Sequence, residues 1–313
     1  MPYNNLTGRT DVQALIPEEV SNVMLKELQN ESAAMEMFDR LQIGTNQTRM
    51  PVLSALPVAY FVNGDTGLKQ TTEMAWANKY FNVEEIAAIV PIPEAVVDDL
   101  SVDFFEMVRP KLQQAIARVL DAAIFFGTNK PASWPDDITT AAVAAGNTQN
   151  FAVATAAQGG LAEDISDLFA LVEADGYDVS GVIAKTNLRA AARSIRDANG
   201  NRTSDVTPTN WWGVDNVRYP MRGLWPASTS GLVNAIVGDF NQGLLAVRQD
   251  FTYKLLDQAV ITDENNNILL NLAQQDSVAL RVVFRCAFQV SNPINYDQSV
   301  EANRYPFGVL KVA

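Results

Sequence analysis

Apolar residues recur in steps of three and four at Val102, Phe105, Val108, Leu112, Ile116, Val119, Ala123 and Phe126. That spacing lines one side of an α-helix. Asp98 or Asp99 can cap its start and Gly127 can stop it, giving an element roughly 40 Å long. Pro110 falls inside and is expected to kink the helix or split it in two. Upstream, Pro17 opens a shorter amphipathic helix with Glu18 and Glu19 in its first turn, followed by Val20, Val23, Met24 and Leu28 at helical spacing. A second helical patch is expected over Ser32 to Leu41.

Between these helices the period changes. Met50 to Leu53 and Val58 to Val62 read as strand, Asn63 to Gly67 is a dense turn signal, and Thr71 to Trp76 leads into a β-branched and aromatic run from Asn78 to Ile89. Two extended arms around a glycine-rich tip predict a long hairpin, marginal by itself and therefore in need of a surface to lie on. Asn129 to Gly160 reads as loop and Leu161 to Ala174 as a helix with Ile165, Leu168, Phe169 and Val172 on one face. Val179 to Ala184 reads as a short buried strand. Thr186 to Asp197 reads as a helix bearing Arg189, Arg193 and Arg196. Trp211-Trp212 and Trp225-Pro226 mark an aromatic, loop-rich region expected near subunit contacts. Strands follow over Asn234–Val237, Leu244–Arg248, Phe251–Leu256 and Ser277–Val290, with Asn265 to Asn267 as a turn. The last of these places Val278, Leu280, Val282, Phe284, Cys286 and Phe288 on one face. Pro293 ends it, and Phe307 to Val312 form a final short strand. The mixture is α+β.

With 313 residues, 48% hydrophobic and 19% charged, the chain exceeds the usual size of one core, and two domains are expected. A net charge of −13 argues against an extended basic face for nucleic acid, although an acidic wall suits a container for a polyanion. There is no histidine. That removes Ser-His-Asp and Cys-His catalysis and the usual zinc and non-haem iron sites. The one cysteine, Cys286, sits in an apolar run and reads as a buried structural thiol. No phosphate loop, dinucleotide fingerprint or nucleophile elbow occurs. Asp98-Asp99 and Asp136-Asp137 are explained by helix starts or loops rather than by metal or acid–base chemistry. No enzyme, metal or cofactor is expected. The first residues lack the basic start and apolar stretch of a signal peptide, and no run is long enough to cross a membrane, so a soluble, cytoplasmic product is expected before any assembly.

The order of parts resembles the major capsid proteins of tailed bacteriophages, the Hong Kong 97 fold. The most specific stretch runs from Ala87-Ala88-Ile89-Val90-Pro91-Ile92-Pro93 through Glu94 to Leu100 and on into Gln114 to Gly127. There, in that family, the return strand of a hairpin enters a long spine helix in very similar wording. Val237-Gly238-Asp239-Phe240-Asn241-Gln242 and Asp276 to Pro293 are further matches. The resemblance implies an N-terminal arm over 1–47 and an extended E-loop hairpin over 48–88. It implies a peripheral domain over 89–128 and 233–290, and an axial domain over 129–232 and 291–313. Pro110 departs from the family's spine. So does the want of a charged helical extension before the arm, which implies a separate scaffolding protein.

On that resemblance the product is a structural subunit that self-assembles into hexamers and pentamers of an icosahedral head. The head would enclose double-stranded DNA without sequence-specific binding, with a portal protein and decoration proteins as further partners. Its location would be the virion, assembled in the cytoplasm of the host bacterium. Val58, Tyr60, Phe61, Trp76 and Phe81 are expected to be buried by neighbouring copies. Arg189, Arg193 and Arg196 are read either as a solvated basic face or as a contact with a neighbour's acids. Some relatives join a hairpin lysine to a neighbour's asparagine. Lys69 and Asn265 to Asn267 would be the corresponding parts, although an ordinary exposed lysine accounts for Lys69. Two other readings stay open: a cargo-enclosing encapsulin shell of the same fold, and a monomeric carbohydrate- or partner-binding module.

Overall fold

The structure, a computed structural model, describes residues 32–62, 68–94, 104–155, 159–196, 201, 206–220, 225, 233–263 and 265–311. The expected first helix at Pro17, the hairpin tip at Asn63 to Gly67 and the caps Asp98 and Asp99 lie outside these residues. In chain order the elements are α1 (Ala33–Met37), β1 (Asp39–Gln42), β2 (Gln47–Ala55), β3 (Ala75–Asn82), β4 (Glu84–Pro93) and α2 (Phe104–Phe126). Next come α3 (Ile138–Ala145), β5 (Thr148–Asn150), α4 (Leu161–Ala174), β6 (Gly181–Ala184), α5 (Leu188–Ser194) and β7 (Val217–Arg218). The chain ends with β8 (Val233–Gly238), β9 (Gly243–Leu256), β10 (Val260–Thr262), β11 (Ile268–Asn271), β12 (Ser277–Val290) and β13 (Phe307–Lys311).

Two sheets organise these elements. One has four strands in the order β1-β9-β12-β4, and the other five in the order β5-β13-β8-β6-β7. Strand β12 is the centre of the first, paired antiparallel with β4 along its first part and with β9 along its length. Its predicted apolar face is buried from Val278 to Phe288, and Ala279, Val283 and Ala287 on the other face are buried as well. Arg281 and Arg285 share that second face; Arg285 reaches across to Glu85 on β4, 2.7 Å away. Strand β9 is one element where two were expected. A bulge opposite Val283 to Cys286 absorbs the break in alternation between Arg248 and Phe251.

Helix α2 packs its buried side against this sheet and runs unbroken through Pro110, so the expected split does not occur. Leu112, Ile116, Leu120 and Ile124 are buried, whereas Val119 is 45% exposed. The buried arc is centred on Leu120, and Val119 stands at its margin at 100° per residue. The helix ends at Gly127, whose φ is +67°.

Several expectations are corrected. The segment read as loop from Asn129 to Gly160 contains α3 and β5. Asp137 caps α3 by accepting from the Thr140 amide at 3.0 Å, and alanine supplies helix propensity without an apolar period to betray it. The patch from Ser32 to Leu41 is helical only from Ala33 to Met37, because Phe38 is extended and β1 begins at once. Helix α5 is shorter than expected and leaves Arg196 outside it. Val58 to Val62 carry no strand, and from Glu84 the return arm of the hairpin belongs to the four-stranded sheet. Strand β8 pairs with β6 and β13 in the five-stranded sheet, and its six residues are buried. Trp211, expected near a surface contact, is fully buried among Val206, Leu188 and the α4 side chains.

The largest core cluster is shared by both sheets, α1, α2 and α3, and includes Cys286. Burial pushes the Cys286 thiol up to about 12. Helix α1 enters this core through a buried carboxylate on α2. Asp121 accepts from the Ser32 hydroxyl at 2.7 Å and from the Ala33 and Ala34 amides at 3.0 and 3.2 Å. Burial holds its carboxyl up at about 6 despite those three donors.

Candidate subunit-contact surface

Strands β2 and β3 pair antiparallel from Gln47↔Asn82 to Ala55↔Ala75 and stand apart from both larger sheets. Beyond Ala55 the chain continues as an extended loop, stapled by the Val58 amide on Thr72 Oγ1 at 2.8 Å and the Tyr60 hydroxyl on the Gln70 carbonyl at 2.9 Å. A two-stranded ribbon cannot cover both of its own faces, so its side chains meet solvent unless something else covers them. Phe61 is fully exposed, and Val58, Tyr60 and Trp76 are 68%, 43% and 61% exposed. Leu68, Met74 and Tyr80 add to the same surface, with Leu68 90% exposed. These three were not singled out from the sequence, although strand alternation through Tyr80 carried the signal.

Phe81 behaves differently. It is 2% exposed and packs with Val83, Ala246 and Ala287 of this chain, so a neighbour is not required to bury it. The root of the ribbon is fixed there. Trp134 Nε1 donates to the Asn82 carbonyl at 3.0 Å, and Asn82 Nδ2 to the Ser133 carbonyl at 2.9 Å. Gln289 Nε2 reaches the Tyr80 carbonyl at 3.2 Å, and the Tyr296 hydroxyl reaches the Pro57 carbonyl at 3.0 Å. Lys79 donates to the Val290 carbonyl and faces Glu301 at 3.5 Å; burial lowers its pKa, with Glu301 opposing. The ribbon therefore has an anchored base and an uncovered apolar length.

Arg189 and Arg193 stand one turn apart on α5, and Arg196 lies beyond its end. Arg189 lies half-buried over the Tyr219 ring at 5.8 Å, a cation–π contact within the chain. Arg193 and Arg196 are exposed. Lys69 is exposed beside the ribbon tip. Asn265 and Asn267 are engaged by Asp263, which accepts from both amides at 2.8 Å and from Asn267 Nδ2 at 2.9 Å. Those bonds hold the Asp263 carboxyl below its usual range. The β10–β11 hairpin that carries this turn exposes Val260 and Ile268 on its outer side.

Among the described residues no group of three histidine, cysteine or carboxylate side chains could hold a metal ion. No described helix is long and apolar enough to cross a membrane. A pocket of about 250 Å³ lies at the ribbon's root, lined by Lys79, Asp136, Gln289, Glu301, Arg304 and Tyr305 among others. The Arg304 guanidinium in its wall is already bonded to Asn292 and to the Gln298 carbonyl, so it is spoken for structurally.

Residues 13–295 match the model of the family described as the phage capsid family. A curated relative, the major capsid protein of Staphylococcus phage 80alpha, is 23% identical over 294 residues, covering 91% of this chain and 85% of that one. A solved structure from Microbacterium phage Oxtober96 superposes with a TM-score of 0.79 at 35% identity, covering 90% of this chain and 91% of that chain. One from Mycobacterium phage Cain gives 0.78 at 33% identity, covering 90% of each.

Proposed function

Because this chain belongs to the phage capsid family, we propose that its β2–β3 ribbon and the part of the expected N-terminal arm that precedes Ser32 are the extensions by which one copy laps over the next, residues 32–42 being packed within the chain itself. The chain is a major capsid protein with the Hong Kong 97-like fold, a structural component of a phage virion and not an enzyme. Function here is geometry. The body built on the two sheets is the tile, and the ribbon is the lap.

The observation that carries this reading is the ribbon's uncovered apolar length, with Phe61, Leu68, Val58 and Trp76 all more than half exposed on an anchored base. Monomeric proteins rarely present so many large apolar side chains on one projection. Burying each against a neighbour contributes about 1.5–3 kcal/mol, and weak contacts repeated around a closed shell sum to a stable whole. In this proposal identical copies form hexamers and pentamers, with Arg193 and Arg196 meeting a neighbour's acids. The peripheral part comprises α2 with the four-stranded sheet, and the axial part comprises the five-stranded sheet with α4 and α5. A separate scaffolding protein, a portal and decoration proteins are the further partners. The shell encloses double-stranded DNA without reading its sequence, and assembly takes place in the host's cytoplasm.

The test is assembly of the purified chain with its scaffolding partner, followed by light scattering and negative-stain electron microscopy. A Phe61→Asp, Trp76→Asp double variant is expected to keep the far-ultraviolet circular dichroism and melting behaviour of the wild type while losing closed shells. Shells of normal yield and form from that variant would overturn the role given to the ribbon.

A further inference from the structure

We infer that Ser32–Phe38 is a keystone, a wedge whose seat is built jointly by the long helix and both sheets, so that its seating and the packing of the two sheets are one equilibrium. Three sides of the seat are on view. From α2, the Asp121 carboxylate takes the Ser32 hydroxyl and the Ala33 and Ala34 amides, the donors that a helix start otherwise leaves unsatisfied. From the five-stranded sheet, Arg218 on β7 pairs with Glu36, and the Met37 methyl lies so close to Gly181 on β6 that a Cβ there would collide with it. From the four-stranded sheet, Gly243 on β9 leaves room for the Phe38 ring, which a Cβ would fill.

Phe38 is the centre of this arrangement. Its ring lies 5.8 Å from Phe125 of α2, 5.7 Å from Phe288 of β12 and 5.7 Å from Phe240 between the sheets. It meets Phe307 of β13 edge-on at 6.1 Å. A ring that touches four elements is replaced by a void if it leaves, and interiors do not tolerate voids of that size without local opening. The wedge cannot withdraw from one sheet and stay packed on the other. Since coupling between sites is reciprocal, whatever holds the preceding residues also favours one packing of the two sheets. This last consequence rests on the proposal that the residues before Ser32 engage a neighbouring copy. The coupling within the chain does not.

Amide hydrogen exchange on the full-length unassembled chain tests the coupling from one side of the seat to the other. Asp121→Asn perturbs only the α2 side, and exchange is read at Gly181–Ala184 in β6, which Asp121 does not touch. An increase of about tenfold or more at β6 is expected, while Arg118→Ala, an exposed change on the same helix, leaves β6 unchanged. If Asp121→Asn does not fold, Ser32→Ala removes one donor from the same carboxylate and is read in the same way. Faster exchange confined to residues 32–38, with β6 still protected, would overturn the keystone. Because no shell is formed in this experiment, its failure is separate from failure of the ribbon's role in assembly.

Discussion

Asp121 carries a charge in a place that disfavours one. Its carboxyl stands at about 6, against an ordinary 3.8, because burial outweighs the three hydrogen bonds it accepts. A folded-state value above the unfolded one means that the folded chain binds the proton more tightly between about pH 4 and pH 6. Stability is therefore greatest below that window, falls as pH rises through it, and is flat above. The two-unit difference corresponds to about 3 kcal/mol. Urea midpoints of the unassembled chain between about pH 4 and pH 7.5 are expected to decline in this way, and Asp121→Asn is expected to lose the decline. Phenylalanines supply the second contrast. Phe81→Ala empties a buried site and is expected to destabilise the fold by about 3–5 kcal/mol. Phe61→Ala, fully exposed, changes it by less than about 0.5 kcal/mol in the unassembled chain. A pair of denaturation curves decides both, and equal losses would contradict the burial described here.

Among the elements, α2 carries a cost. A proline inside a helix lacks the amide that would bond to the preceding turn and costs about 3 kcal/mol relative to alanine. Pro110→Ala is expected to raise the melting temperature of the unassembled chain; a lower one would mean that the proline ring makes packing contacts worth more than the missing bond. The long periodic elements were legible from sequence because burial imposes its period on them. Helix α4 falls on the expected residues, and β12 carries the expected apolar face. Alanine-rich α3 was not legible, because alanine packs in a core without marking a face. Nor was the partition of the hairpin, since β3 and β4 read alike although one faces solvent and the other pairs with β12. The sheet to which β8 belongs was not legible either, since a short run of apolar residues does not name its partner strands. Of the residues proposed for contact, Val58, Tyr60, Phe61 and Trp76 are exposed, whereas Phe81 is buried within the chain and Arg189 lies over the Tyr219 ring. Side-chain type signals that a residue needs cover, but not whether that cover comes from its own fold.

For the molecule as a whole, charge and shape act against each other. With a net charge of −13 per copy, neighbouring copies repel, and in the proposed role of the ribbon its apolar contacts have to overcome that repulsion. Salt screens exposed charges over about 10 Å at 0.1 M and about 3 Å at 1 M. Raising sodium chloride across that range is expected to lower the concentration at which scattering signals assembly, whereas a rise would show that cross-copy ion pairs dominate. The thiol buried beside Phe284 and Phe288 bears on a different use of the same tile. Cys286 is the chain's one cysteine, fully buried and held protonated, and thiols react as thiolates. The native protein is thus expected to be silent toward maleimides, and a single cysteine introduced at an exposed site such as Lys69 would be its sole point of attachment. A lattice built from that variant would carry one chemical handle per copy, at a spacing set by the protein itself.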